Sequence, residues 1–395
     1  MKAASQGCAL TGALTILTSL SIAAATPGTI STAAGNGYQG IFGLGGTATA
    51  AELVAPGELT FDKSGNLYIA DSASEYILEL SASTHKLSVF AGTGAGGYSG
   101  NGEAATKATF NHPQGIEFSP SGSELYVADS RNNVIRSIDM SSGIIRTIAG
   151  TGASAGPGDA DPCPKLVLNL AATKTALCNP FGIAVDAEGN IFFVNGGSTQ
   201  ILKLSQSTGK ITLVAGTGNY GYTGDGGKAV DANFSWILSV ALDRDDNVYI
   251  TDSGNCAIRK VTASTGIVTS LVGSPASAWS GNCGLSGDGG PATSAKINTT
   301  EGVAVDKSGN VFLSDTGNNL VRVIAASNGK IYTVAGSYAN GGDTPGYSGN
   351  GGPATKATLF VPQGLAIDSS GDLYFTEADN FVVRKVIEPI TAFVP

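Results

Sequence analysis

Charge is scarce in this sequence. Only 13% of its 395 residues are Asp, Glu, Lys or Arg, and the balance is acidic, at −9. Histidine is nearly absent, with His85 and His112 the two present, and there are two Met and two Trp. No Lys/Arg cluster exists, and an acidic surface repels phosphate backbones, so nucleic-acid binding by a basic face is excluded. No G-x-S-x-G elbow, phosphate loop or HExxH motif occurs, which removes the hydrolase, nucleotide and metalloprotease readings those motifs carry. Long helical stretches rich in Glu, Lys and Leu are missing too. What the sequence does hold is 56 glycines and 42% hydrophobic residues. That mixture suits many short buried strands joined by tight turns.

Residues 1–25 are expected to be a signal peptide. Lys2 is the one charge, an apolar and small-residue stretch runs from Cys8 to Ala25, and Ala23-Ala24-Ala25 precedes Thr26-Pro27 as a cleavage site would. An uncleaved anchor is the alternative. No other stretch is apolar and long enough to span a bilayer, so the mature chain is expected to be exported, to the periplasm or the outside, without a membrane span.

The strongest signal is internal repetition. One phrase returns six times, as ELTFDKSGNLYIAD from Glu58, GIEFSPSGSELYVAD from Gly115, GIAVDAEGNIFFVN from Gly182, SVALDRDDNVYITD from Ser239, GVAVDKSGNVFLSD from Gly302 and GLAIDSSGDLYFTE from Gly364. A short apolar run makes one strand, and D-x-x-G-N makes a tight turn because Gly and Asn tolerate positive φ. The alternating run after it makes a second strand. D-x-x-N-x-x-I-R, as at Asp129–Arg136, turns into a third, and KITLVAG at 210–216 exemplifies a fourth. Four antiparallel strands per unit, six times, predict an all-β, six-bladed propeller over residues 26–395 as a single domain.

These phrases resemble NHL repeats, and the resemblance covers about residues 28–395. The segments between units, such as GYSGNGEAATKATF at 97–110 and GYSGNGGPATKATL at 346–359, are similar to linkers of secreted bacterial NHL proteins and teneurin-type propellers. Blades 1 and 3 depart from the pattern, with Ser74 and Ser198 for the turn Asn and Leu78 and Leu202 for the Arg. PGTISTAAGNG at 27–37 matches the fourth-strand phrase, so the N-terminal segment is expected to close blade 6, in competition with ITAFVP at 390–395.

Four cysteines follow the leader, and four allow three pairings. Cys163 and Cys178 share the linker before blade 3. Cys256 sits in a turn of blade 4, and Cys283 in the linker that follows. Cys163–Cys178 and Cys256–Cys283 are therefore predicted, and a metal site is not.

Linkers enter the first strand on one face, here called the top, and the second strand returns to it. The strand entrances bring Glu58, His112, Asn179, Phe181, Trp236, Glu301 and Gln363 to the channel mouth. The strand ends bring Asp71, Asp129, Asn195, Asp252, Asp315 and Glu377. Residues that recur in nearly every blade read as turn formers. Arg136, Arg259, Arg322 and Arg384 read as pairing between blades, and Asp225 and Asp288 as linker turns. Residues that break the repeat are the ligand-binding candidates: Glu58, His112, Phe181, Asn195, Trp236, Glu301 and Glu377.

Two functions compete. The first is a binding module for protein, peptide or glycan ligands, a monomer using its top face, with Tyr98, Tyr222, Tyr347 and Trp279 as linker aromatics. The second is an enzyme. Peptide-amidating lyases, similar in fold, hold zinc with several histidines, which this chain lacks. Gluconolactonase-like propellers hold a divalent cation, such as calcium, with Glu, Asn and Asp. Glu58, Asn195 and one ring Asp are the nearest equivalents. No catalytic residue is assigned.

Overall fold

The computed structural model describes residues 28–152, 163–273, 283–337 and 345–390. Six four-stranded antiparallel sheets form, one per repeat. Blade 2 illustrates the unit, with strands Pro113–Phe118, Glu124–Asp129, Val134–Asp139 and Ile145–Ala149, written A to D from the axis outwards. The A–B turn works as its residues dictate. In blade 1 the Asp62 carboxylate accepts the N–H groups of Ser64 and Asn66, each at 2.8 Å, and Gly65 takes a φ of 82°. In blades 2 to 6 the B–C turn is a single 3₁₀ turn ended by a left-handed residue, Asn133 in blade 2.

The six A strands are Pro56–Phe61, Pro113–Phe118, Pro180–Val185, Ile237–Leu242, Thr300–Val305 and Pro362–Ile367. Each packs on the next, and the last packs on the first, closing a ring. Backbones meet closely there. A Cβ on Gly115 would collide with the Phe181 carbonyl, and one on Gly364 with the Gly57 carbonyl. Outside the ring, each seam between blades holds its own core. Between blades 1 and 2, the Tyr68 ring takes Phe90 and Phe118 edge-on, with centroids 4.9 and 5.0 Å away. Burying such a ring contributes about 1.5–3 kcal/mol.

The N-terminal strand closes the ring, as expected. Ile30–Ala34 pairs antiparallel with Val382–Val386, the C strand of blade 6, with Ile30 opposite Val386 and Thr32 opposite Arg384. Residues 391–395, most of the competing segment, lie outside the described residues, as does the expected leader at 1–25. Both disulfides pair as predicted, Cys163 with Cys178 and Cys256 with Cys283. Gly197 lies against the first of them, where any Cβ would overlap both sulfurs. Among the described residues no helix is long and apolar enough to cross a membrane.

Candidate functional site

The carboxylates ending the B strands are fully buried and serve the architecture. In blade 5, Arg322 reaches Asp315 at 3.4 Å, the linker carbonyls of Lys296 and Ser286 at 3.0 and 3.1 Å, and Asp288 at 3.4 Å. Arg384 bonds Glu377 at 2.8 Å, the Ser348 carbonyl at 3.0 Å and Asn350 at 3.1 Å, beneath the Tyr347 ring. Arg136 and Arg259 repeat the arrangement under Tyr98 and Tyr222. Each arginine thus ties its own blade's carboxylate to the linker entering that blade, rather than reaching the neighbouring blade. Asp225 and Asp288 are ion-pair partners, not merely turn formers. Burial pushes Asp129 and Asp315 up to about 6 and Asp252 up to about 7, against the pull of the arginine beside each.

Blades 1 and 3 show what replaces this staple. The linker residue four places before each 3₁₀ helix is Asn101, Asp225, Asp288 or Asn350 where the C strand carries Arg. It is Leu44 or Leu168 where the C strand carries Leu78 or Leu202. Leu78 and Leu44 join one core, Leu202 and Leu168 another. Blade 3 completes the exchange with the neutral Asn195, which accepts the Cys178 N–H at 2.8 Å. Blade 1 does not. Asp71 stays buried without an arginine, holding the Ala55 and Val54 N–H groups at 2.6 and 3.1 Å, and burial raises its pKa. A carboxyl raised this way stabilises the fold below its unfolded pKa and loses that contribution as pH rises. Asp71→Asn is therefore expected to raise stability at pH 8 by about 1–2 kcal/mol and to leave it unchanged near pH 3. Chemical denaturation at the two pH values checks this, and a loss at pH 8 would contradict it.

The axis itself carries three glutamates. Glu58 occupies the ring position that is Gly in blades 2, 3, 5 and 6, and Gly57 has moved one place ahead of it. Its side chain bonds Ser239 on the A strand directly opposite, and burial pushes it up to about 7. Glu117, two residues past its ring glycine, accepts from the Thr60 hydroxyl at 2.9 Å and its neighbour's N–H at 2.8 Å. Burial pushes it also to about 7. Glu301 reaches about 7 through burial, with Asp379 of blade 6 adding repulsion. Sequence reasoning passed over Glu117. Its signal is plain in the aligned phrases, which place Thr60, Ala184, Ala241, Ala304 and Ala366 at that position.

The top face is shaped by left-handed residues. His112, Asn179, Trp236, Thr299 and Val361, each preceding an A strand, have φ between 43° and 52°. Some are locked from the preceding blade. Glu75 accepts the His112 N–H at 2.7 Å, Asn133 that of Asn179 at 2.7 Å and Asn319 that of Val361 at 2.9 Å. Burial and nearby Arg131 lower the His112 pKa. Trp236 is 60% exposed, and the linker into blade 1 presents Tyr38 at 72% and Phe42 at 81%. Phe181 instead tucks against the core between blades 3 and 4. Tyr98, Tyr222 and Tyr347 cover Arg136, Arg259 and Arg384, and Trp279 lies outside the described residues.

The structure therefore brings Glu58 and Glu301 to the axis and sets His112 and Trp236 on the top face. Asn195 and Glu377 are buried in the blade ends, bonded to Cys178 and Arg384. A cation set of Glu58, Asn195 and a ring Asp does not fit, because Asn195 and the ring carboxylates point into their own turns and arginines. Among the described residues, the carboxylates close enough to share an ion are Asp186, Glu188 and Asp246, in A–B turns on the opposite face. Asp186 there already bonds Asn190 and Lys203.

Six four-stranded blades, arginine-stapled linkers and N-terminal closure define a six-bladed β-propeller of sequence repeats. No protein-family model matches the chain. It is similar to NHL repeat-containing protein 2 of Homo sapiens, 26% identical over 357 residues, covering 87% of this chain and 47% of that protein. Teneurin-3 of Mus musculus is 25% identical over 386 residues, or 91% of this chain and 13% of the relative. The chain thus spans about half the length of the first and a small part of the second. Among solved structures, an auxiliary nutrient binding protein from Bacteroides thetaiotaomicron shares the fold at 14% identity, with a TM-score of 0.62 over 90% of this chain and 75% of the other. A gluconolactonase from Xanthomonas campestris does so at 12% identity and 0.53, covering 85% and 86%. The six-bladed fold and these relatives together support an NHL-repeat β-propeller.

Proposed function

We propose that this propeller is an exported binding module that engages a protein or peptide partner through its top face. The observation that carries this reading is the exposure of large aromatic side chains on otherwise rigid linkers and strand entrances, Trp236, Phe42 and Tyr38 foremost. Rigid aromatic anchors dominate protein interfaces because they bury much area at little entropic cost. Propellers commonly serve as interaction modules, and the two disulfides suit an oxidising compartment. The leader expected at residues 1–25 belongs to the same proposal. Partners captured from an extracellular protein library by the wild-type chain are expected to bind Trp236→Ala at least tenfold more weakly, with Phe42→Ser adding to the loss. Unchanged binding by a folded double variant would overturn the reading.

A further inference from the structure

A cavity of about 610 Å³ opens at the seam between blades 6 and 1, on the face of the A–B turns, away from the top. One residue explains its size. The residue two places before the glycine that ends each D strand fills the seam, and it is Phe90, Ile148, Val214, Leu271 or Val334 in blades 1 to 5. In the closing strand of blade 6 it is Ala33. The seam between blades 2 and 3, where Ile148 stands, holds a smaller cavity of about 370 Å³.

The comparison with the seam between blades 1 and 2 is closer still. There Tyr68 is flanked by Phe118 and Phe90. At the closing seam, Tyr374 and Phe61 repeat the first pair, edge-on at 4.9 Å, and Ala33 stands where the third ring would be. The space of one ring is left against an aromatic wall. Its rim is polar. Thr47 and Ser81 supply hydroxyls, and Asp62 and Asp368 supply carboxylates. Lys385 lies over Tyr374 at 5.0 Å and pairs with Asp372 at 2.7 Å.

We propose that this seam binds a neutral pyranose, one hexose residue of a free sugar or of a glycan. The apolar face of such a ring packs where the missing aromatic would lie. Its hydroxyls, which both donate and accept, match a rim of hydroxyls and carboxylates, with the Lys385 ammonium beside Asp372 and Asp368. The site is separate from the top face, so the two readings stand or fall independently.

The test is calorimetric titration of the protein with glucose, galactose, mannose, maltose and lactose. Saturable binding of at least one of them is expected, weakened at least tenfold by Ala33→Phe, which restores the ring found in blade 1, and unaffected by Trp236→Ala. Binding of a monosaccharide marks a free-sugar site. Binding confined to the disaccharides marks a glycan site, and either supports the proposal. If Ala33→Phe does not fold, Ala33→Val takes its place, a side chain the same position carries in blades 3 and 5, and a loss of about threefold or more is expected. No binding by any of the five sugars, or binding unchanged in the folded Ala33 variant, overturns the proposal.

Discussion

Arg322→Leu is expected to destabilise the protein by about 3–5 kcal/mol, because the guanidinium is fully buried and its removal strands Asp315 in the blade end. The same leucine should be nearly harmless when its partners change with it. Arg322→Leu combined with Asp315→Asn and Asp288→Leu reproduces blade 3, where Leu202, Asn195 and Leu168 occupy the three places. Replacing a complete buried ion-pair group by well-packed apolar residues is often neutral or stabilising, and breaking half of one is not. The triple variant is therefore expected to recover most of the loss, to within about 1–2 kcal/mol of the wild type. Urea denaturation of the single and triple variants measures both. A single variant costing under 1 kcal/mol would show that the staple is not structural. A triple variant no better than the single would show that blade 3 relies on something else.

Stability is expected to fall as pH rises from about 4.5 to 8. Glu58, Glu117 and Glu301 titrate near 7 in the folded state against an ordinary 4.5. A raised folded pKa means that the folded state holds the proton more tightly. The contribution is fully present below about 4.5 and disappears as pH passes through 7. Each glutamate accounts for about 2–3 kcal/mol of that slope. Asp139 acts in the opposite sense, since the Ser141 and Ser142 bonds hold it at about 2, but its effect lies below this window. Thermal melts from pH 5 to 8 should show a falling Tm, and Glu58→Gln with Glu117→Gln should flatten the curve and raise the pH 8 end. A Tm that climbs over this range would contradict the axial assignment.

Much of the architecture was legible because the sequence repeats itself. Six copies of a strand–turn–strand phrase leave few other ways to bury their apolar faces, and the match of PGTISTAAGNG to a fourth strand located the closure. The disulfides followed from strand order, which places both pairs on one face. Side-chain function was less legible. The repeated Asp reads equally well as a turn former or a channel ligand until its geometry shows it facing an arginine. The arginines themselves were recognised, but their linker partners became visible only once the linkers were aligned on their 3₁₀ helices. Glu117 hid inside a strand phrase that otherwise looked regular, and its departure from the alanines around the ring carries the signal. Ala33 was unremarkable in isolation, because a small residue in a strand means nothing until five larger counterparts surround the axis.

Closure by the N-terminal strand also has a consequence for biosynthesis. Ile30 ends up opposite Val386, so the propeller's first strand has no partner until its final blade exists. Blades 1 to 5 can form in turn from local hairpins, while the outer edge of blade 6 waits for a segment made long before. Closing the disc joins two strands more than 350 residues apart in sequence, a long loop to close and so an entropically costly pairing. Afterwards those strands lie side by side, so a chain cut at another linker and rejoined here would assemble the same disc with a different blade finished last.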